Sequence, residues 1–363
     1  MRSCDNSLMP RTSSSCRTTG RKIKQIVSSP IQTISLVLLI SAVFVTPDIQ
    51  AGPTGGNITG GSGSINQSGS ITNIQQNTKS LAIDWDSFNV NKNETVNFLQ
   101  PGVSSIALNR ILSQSGSQIL GQINANGNVV LVNPNGIFFG QSATVNVGGL
   151  IASGLDISAA DFMNGGYIFN QVSESDGIVF NSGLLTASLG GNVTLLGKQV
   201  VNEGVISANL GRVNLAAGEA AVLTFDQQGL LGVQVTDAVL QDDLKVDPAL
   251  TNSGEINAQG GQVLLTASVS QEVFSQAVNT GGMEQATSVV FNEDGSFTLG
   301  AGADVVNSGS IDVSSNEDSQ SAGQVILLGE NVTSNGQIKA DSLNTDGGDI
   351  GGKIGVRSQY LLI

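Results

Sequence analysis

The sequence predicts an all-β protein built around a parallel β-helix. Of its 363 residues, 46 are glycine, 4% are aromatic and 12% are charged. This composition suits many short strands joined by tight turns, because β-branched residues fit a pleated sheet and Gly and Asn tolerate its corners. A unit of Asn, Gly, alternating aliphatic residues and a Gly-rich corner also recurs, and helix signals are scarce. Repeats of this size with two or three short strands each are typical of stacked β-helix coils.

The N-terminus has the composition of an extended signal peptide. A basic region at 17–24 precedes the apolar segment 34–45, which is shorter than the roughly 20 residues that span a membrane as a helix. The alternative, a membrane anchor, is disfavoured because no comparable apolar segment follows it. Small Ala51 comes next, so we expect cleavage between Ala51 and Gly52 and interpret residues 1–51 as the leader.

The chain that follows this leader is acidic and has no cysteine. Of 15 Lys and Arg, six precede the expected cleavage site, as do two of 29 Asp and Glu; this leaves 9 basic and 27 acidic side chains, a formal net charge of −18. Such a chain repels nucleic acid and anionic membrane surfaces, so we expect no nucleic-acid partner. Both cysteines, Cys4 and Cys16, lie in the leader, which excludes a disulfide scaffold. Because the chain also has no histidine, we expect no metal site and no cofactor.

The repeated unit begins at an asparagine in each copy. In stacked coils, equivalent side chains lie above one another, and stacked amides can form a hydrogen-bonded ladder. The sequence therefore predicts a ladder whose members are Asn181, Asn202, Asn252, Asn307 and Asn335.

Two intervals between copies are too long for one coil. Copies start 50 residues apart at Asn202 and Asn252, and 55 apart at Asn252 and Asn307. The segments "VTDAVLQDDLKVDPAL" and "VNTGGMEQATSVVFNEDGSFTLG" do not fit the coil pattern, and "SVVFNEDGSFTL" alternates around Asp294-Gly295 as a β-hairpin does. We interpret both segments as excursions outside the helix.

The stretch "VNPNGIFFG", Val132 to Gly140, places a polar turn between two apolar segments. Pro134 fixes φ for the first corner of a turn, and Asn135-Gly136 tolerates the positive φ of a close reversal. By itself, such a turn predicts only a connector between strands.

The surrounding sequence is more specific. The segments "FNVNKNETVNF", "SIALNRILSQSGSQILGQINANGNVVLVNPNGIFFGQSATVNVGGLIASGLDIS" and "NEGVISANLGRVNLAAGE", in this order, resemble the N-terminal secretion domain of filamentous haemagglutinin-like exoproteins of two-partner secretion, the haemagglutination activity domain. The resemblance covers about residues 54–300. It implies a right-handed β-helix with an N-terminal cap. It also implies recognition in the periplasm by the docking domains of a dedicated outer-membrane β-barrel transporter, which passes the exoprotein to the surface of a Gram-negative-type cell.

The resemblance also marks candidate residues of the secretion motif. They form the turn and the upstream "LNR" element: Asn133, Pro134, Asn135, Gly136, Ile137, Asn109 and Arg110. Two interpretations of the turn stay open. In the first, it closes an early coil and fixes its register. In the second, it presents a recognition surface to the transporter.

Parallel β-helices also include polysaccharide lyases and glycosidases, so a carbohydrate-active enzyme is the alternative function. Such chemistry needs paired carboxylates or a carboxylate-bound calcium ion. The candidate pairs are Asp242 with Asp243, Asp84 with Asp86, and Asp346 with Asp349. Adjacent strand residues point to opposite faces, and Asp84 and Asp86 flank Trp85 inside the family resemblance. We therefore expect no enzyme activity.

Three regions follow from these observations. We expect a signal peptide at 1–51, a secretion domain at 52–300 and further β-helix coils at 301–363. The chain stops at "RSQYLLI" within a coil pattern without a capping element, so we expect 301–363 to begin a longer exoprotein; the alternative is an unusually short member of the family. The predicted function is surface adhesion by a secreted or cell-surface protein with a receptor on a host or neighbouring cell, whereas a cytolysin or toxin activity farther along stays open.

Overall fold

Three parallel β-sheets form the sides of a β-helix. The protein is represented by a computed structural model that describes residues 52–226, 229–237, 248–267, 289–291, 297–299, 304–315, 321–329, 331–342, 352–357 and 360–362. The expected signal peptide at 1–51 lies outside these residues, so cleavage between Ala51 and Gly52 stays a prediction.

The described chain contains short strands and one short helix. In chain order they are β1 (Asn57–Gly60), β2 (Gly63–Ser68), β3 (Ile71–Gln76), β4 (Ser80–Trp85), β5 (Thr95–Leu99), β6 (Ile106–Ile111), β7 (Ser117–Ile119), β8 (Gln122–Ala125), β9 (Asn128–Val132), β10 (Ile137–Phe139), β11 (Thr144–Val147), β12 (Gly149–Ser153), α1 (Ala159–Met163), β13 (Ile168–Asn170), β14 (Ile178–Asn181), β15 (Leu184–Ala187), β16 (Asn192–Gly197), β17 (Gln199–Asn202), β18 (Val205–Ser207), β19 (Arg212–Ala217), β20 (Ala220–Asp226), β21 (Gly229–Asp237), β22 (Leu250–Asn252), β23 (Glu255–Asn257), β24 (Gln262–Thr266), β25 (Val289–Phe291), β26 (Phe297–Leu299), β27 (Val305–Asn307), β28 (Ser310–Asp312), β29 (Gln324–Leu328), β30 (Asn331–Ser334), β31 (Gln337–Lys339), β32 (Lys353–Arg357) and β33 (Tyr360–Leu362).

Each coil passes through three sheets in turn. Sheet A has the order β1-β4-β6-β9-β12-β16-β19-β24-β29-β32, sheet B has the order β7-β10-β14-β17-β22-β27-β30-β33, and sheet C has the order β2-β3-β5-β8-β11-β15-β18-β23-β28-β31. Within these sheets, neighbouring strands are parallel, apart from the pairs that β1 and β2 make. The predicted parallel β-helix is confirmed.

The core consists of aliphatic columns inside the helix. The alternation of each strand sends every second residue inward, and the register stacks the inward residues of successive coils. On sheet A one such column is formed by Leu131, Ala152, Leu195, Leu215, Leu265 and Leu327, all of them buried. Burial of one leucine side chain contributes roughly 1.5–3 kcal/mol to the free energy of folding. Each coil that adds a leucine to this column therefore adds a similar amount.

An antiparallel cap closes the N-terminal end of the helix. Strand β1 pairs antiparallel with β4 of sheet A, and β2 pairs antiparallel with β3 of sheet C. These strands cover backbone edges that would otherwise be free to pair with another chain. The rings of Trp85 and Phe88 pack edge to face below the cap, with centroids 5.4 Å apart.

A second layer covers the outer surface of sheet A. Helix α1 contacts β1, β4 and β6, and β13, β20 and β21 form a separate antiparallel sheet. Phe162, Phe169 and Leu223 of this layer join Leu108 and Val130 of sheet A in one buried cluster. No pattern in the sequence predicted this layer.

Both predicted excursions contain hairpin strands outside the helix. Strands β25 and β26 pair antiparallel, Val289 with Leu299, on the two sides of the predicted Asp294-Gly295 turn, which itself lies outside the described residues. The first excursion begins at β20, earlier than the predicted segment "VTDAVLQDDLKVDPAL", most of which also lies outside the described residues.

Candidate functional site

The polar turn of the candidate motif joins β9 of sheet A to β10 of sheet B. The backbone N–H of Gly136 donates to the carbonyl oxygen of Asn133 at 2.9 Å, and the N–H of Asn135 donates to Oδ1 of Asn133 at 3.0 Å. The positive φ lies at Gly136 (101°), whereas Asn135 does not have one. The positive φ of the turn thus lies at the glycine of the Asn135-Gly136 pair.

The Asn133 side chain ties the turn to the preceding coil. Its Nδ2 donates to the carbonyl oxygen of Ser115 at 3.1 Å and to Oγ of Ser117 at 3.0 Å. Asn133 is completely buried. With its Oδ1 also occupied inside the turn, the carboxamide is bonded entirely within the protein, as a buried polar group requires.

The other motif residues of the turn face outward to different degrees. Pro134 and Asn135 are half-buried; Nδ2 of Asn135 donates to the carbonyl oxygen of Ser113 at 2.9 Å, and Pro134 accepts a bond from the N–H of Gly177 in the next coil at 2.9 Å. Ile137 points into the core. The turn thus contacts the coils on both sides and still presents Pro134 and Asn135 to solvent.

An aromatic pair lies beside the turn on the outer surface of sheet B. Phe138 is 40% exposed, and its ring stacks on Phe180 of the next coil with centroids 5.2 Å apart.

Asn109 of the "LNR" element is a core residue. In register it lies between Ile83 and Leu131 on the inner surface of sheet A. Its Oδ1 accepts a hydrogen bond from Nε1 of Trp85 at 3.0 Å, and its Nδ2 donates to the carbonyl oxygens of Ala107 at 3.3 Å and Val130 at 3.2 Å. A partner protein cannot reach this side chain in the folded domain.

Arg110 points to the opposite side of the same strand and forms two ion pairs. Its Nη1 lies 3.3 Å from Oδ1 of Asp84, and its Nε lies 3.4 Å from Oδ1 of Asp156. Asp156 belongs to the segment that leads to α1, so the arginine links sheet A to the second layer. Asp84, a member of one candidate catalytic pair, is thereby committed to an ion pair, whereas Asp242, Asp243, Asp346 and Asp349 lie outside the described residues.

A hydrogen-bonded asparagine ladder follows the corner between sheets B and C. Nδ2 donates to Oδ1 of the next coil at 2.8 Å in each of three steps, from Asn181 to Asn202, from Asn202 to Asn252 and from Asn252 to Asn307. All four residues are completely buried.

The last predicted member of the ladder is wrong by one residue. Asn307 is in register with Ser334, to whose Oγ its Nδ2 donates at 3.2 Å. Asn335 is exposed and contributes its backbone N–H to the carbonyl oxygen of Asn307 at 3.0 Å.

A second set of asparagines, not predicted from the sequence, lies on the outer surface of sheet C. They occupy one register position on five adjacent strands and are called here the outer asparagine column: Asn66, Asn73, Asn97, Asn124 and Asn146. The signal was present in the segments "ITNI", "TVNF", "QINA" and "TVNV". In each of them, Asn directly precedes an apolar residue of a strand, and in the last three it also follows one.

Within the part of the chain that the structure describes, no group of three or more Asp and Glu side chains could hold a metal ion. Over the same residues, no helix is long and apolar enough to cross a membrane.

Burial raises the pKa of Tyr167, which packs edge-on against Phe162 in the second layer.

The chain is similar to a family of secretion domains and to two curated proteins. A family model described as "TPS secretion domain" matches residues 49–313, a range that includes the whole candidate motif. Two heme/hemopexin-binding proteins of Haemophilus influenzae are similar to the chain, one with 31% identity over 280 residues and one with 29% over 287. These alignments cover 75% and 73% of this chain but only 30% and 29% of the relatives.

A solved structure has the same fold. The secretion domain of HMW1 from Haemophilus influenzae superimposes with a TM-score of 0.56 and 26% identity, over 84% of this chain and 76% of that one.

Proposed function

Because the chain belongs to the TPS secretion domain family, we propose that residues 52–300 direct its export through a dedicated outer-membrane β-barrel transporter. The observation that carries the proposal is the family match over 49–313, which contains both elements of the candidate motif. In this account, the leader at 1–51 takes the chain to the periplasm and is removed between Ala51 and Gly52. The transporter's docking domains then bind the chain, which reaches the cell surface or the medium.

The candidate motif residues divide into two roles in this account. Asn109, Asn133 and Ile137 are buried, so they act by holding the first coils in register. Pro134 and Asn135 are accessible at the outer corner, and they offer the transporter a fixed surface. Gly136 allows the chain to turn at the same corner, because its φ of 101° is costly for any residue with a side chain.

Folding outside the cell would support export in one direction. Asn133 bonds to the preceding coil, and the carbonyl of Pro134 bonds to the following one, so the corner has all its hydrogen bonds only when three successive coils have emerged. Once they have packed, the folded coils cannot slide back through the transporter.

The activity after export is proposed to be surface adhesion through a receptor on a host or neighbouring cell. The names of the two relatives favour haem or hemopexin binding as a second candidate. This chain spans less than a third of either relative and contains no histidine, so a haem iron would need another ligand. No described arrangement supports the carbohydrate-active enzyme, since Asp84 is paired with Arg110.

The test is expression of the full chain with and without a two-partner secretion transporter from the same organism. We expect mature protein outside the cells only when the transporter is present, and processed protein in the periplasm when it is absent. Equal amounts in the medium under both conditions would contradict the proposal.

A further inference from the structure

The outer asparagine column forms an ordered array of amides on sheet C. Nδ2 of Asn97 donates to Oδ1 of Asn73 at 3.0 Å, and Nδ2 of Asn124 donates to Oδ1 of Asn97 at 2.9 Å. A carboxamide has two N–H donors and two acceptor lone pairs. Asn97 therefore uses one donor and one acceptor within the outer asparagine column, and one donor and one acceptor stay free. Unlike the buried ladder at the corner between sheets B and C, this array is accessible.

A shallow, open groove of about 530 Å³ lies over three members of this array, Asn97, Asn124 and Asn146. Besides members of the column, Gln75, Leu99 and Asn126 line it. The amide of Asn126 is fixed by two bonds of 2.8 Å to the backbone of Gln100, and Gln75 donates to the carbonyl oxygen of Leu99 at 3.3 Å. These polar groups are held before any ligand arrives, which lowers the entropic cost of binding.

The groove contains no charged residue, although the chain carries a formal net charge of −14. The outward residues of β2, β3, β5, β8 and β11 are Ser, Thr, Asn, Gln, Ile and Leu only. An ionic ligand would find no counter-charge in this groove, so its chemistry selects a neutral ligand that both donates and accepts hydrogen bonds.

We propose that the groove binds a neutral linear glycan that lies along the helix axis. Each sugar hydroxyl is both donor and acceptor, which matches the free half of each carboxamide. Successive coils repeat the amide about every 4.8 Å, which is similar to the length of one sugar in an extended chain. Leu99, 49% exposed, offers an apolar surface to the C–H face of a ring. A peptide strand would instead pair with a sheet edge, whereas the groove lies on a sheet face.

This inference goes beyond export, since it assigns a ligand to the domain after it has reached the outside. The experiment uses the full secreted chain and, as probes, soluble β-1,4-linked oligomers of glucose and of N-acetylglucosamine of increasing length. Isothermal titration should show an affinity that rises with the length of the oligomer and is insensitive to salt, because neither ligand nor groove is charged.

The variant Asn97→Thr/Asn124→Thr removes two amides and keeps a residue that strands favour. We expect it to bind the best oligomer about tenfold more weakly or worse. Asn257→Thr is the matched control, because Asn257 occupies the same register position farther along sheet C; it should bind as the wild type does. Asn146→Thr, at an exposed position, tests the groove if the double variant unfolds.

Three results would overturn the inference. They are the absence of binding by any neutral oligomer, equal affinity of all the variants, and binding only of anionic glycans with strong salt dependence. If the double variant instead lost secretion and no neutral oligomer bound the wild type, the face would belong to a protein contact. The secretion test with and without the transporter is independent of all these readouts, so the two proposals can fail separately.

Discussion

Nε1 of Trp85 donates a hydrogen bond to Oδ1 of Asn109, 3.0 Å away, in the interior of the β-helix. The two residues lie on neighbouring strands of sheet A, immediately after the cap. A buried indole N–H needs a partner, and Asn109 supplies it from a position where the other coils have aliphatic residues. The "LNR" element of the candidate motif is therefore, in the folded domain, part of the core.

Replacing Asn109 by Leu should leave the N–H of Trp85 unpaired and lower the stability of the domain. The expected loss is about 1–3 kcal/mol, the cost of one buried unsatisfied donor, measured by urea denaturation of the secreted chain. The double variant Trp85→Phe/Asn109→Leu should lose less than the sum of the two single variants. Additive losses would show that the bond contributes nothing.

Replacing Asn252 by Ala should interrupt the buried asparagine ladder, because Asn252 bonds to both Asn202 and Asn307. We expect a loss of about 2–4 kcal/mol, since two buried amides lose a partner. Asn335→Ala is the control and should change the melting temperature little, because that side chain is exposed. Equal losses for the two variants would contradict the register described above.

Replacing Gly204 by Ala should severely destabilise the corner between sheets B and C. A Cβ at Gly204 would overlap the carbonyl oxygen of Gly183 in the preceding coil. At Gly102, by contrast, a Cβ would meet nothing within 4 Å, so Gly102→Ala is the matched control. We expect Gly204→Ala to lower the melting temperature and the yield strongly and the control to leave both unchanged; a well-folded Gly204→Ala protein would mean that the coils can separate at this corner.

Replacing Arg110 by Gln should lower the free energy of unfolding only slightly. The arginine and both carboxylates are 20–35% exposed, and ion pairs in such positions contribute about 0–1 kcal/mol and are screened by salt. Urea denaturation at low and high salt should show a difference that shrinks as salt is added. A loss of several kcal/mol at high salt would mean that Arg110 supports the second layer by packing and not by charge.

The coils were predictable because their signals are local. Alternation, Asn-Gly corners and the repeat spacing each act over a few residues, and together they predict stacked coils of two or three short strands; the structure has three. The second layer was not predictable in this way. Helix α1 is five residues long, too short for a helical pattern, and β13 pairs with β20, so that Ile168 meets Val222 from another part of the chain.

The error in the ladder came from giving an asparagine the role of its neighbour. Gly336 packs on Gly309, so aligning the repeats on glycine places Ser334, not Asn335, in the ladder. In the turn, Gly136 supplies the positive φ, and Asn135 uses its amide to bond Ser113. The burial of Asn109 and Asn133 could not be read from the sequence, because nothing local shows that a polar residue has partners inside a core.

The most direct test of the central claim is the secretion of an Asn135→Ala variant in the presence of the partner transporter. Asn128→Ala is the matched control, since Asn128 is also half-buried and donates from its side chain to carbonyl oxygens of the preceding coil, those of Val103 and Ser105. The ratio of secreted to periplasmic protein is measured beside the melting temperature of each purified variant. If the outer corner is the recognition surface, Asn135→Ala should be secreted several-fold less than Asn128→Ala while the two melting temperatures stay similar. Equal secretion of the two variants at similar melting temperatures would contradict the account.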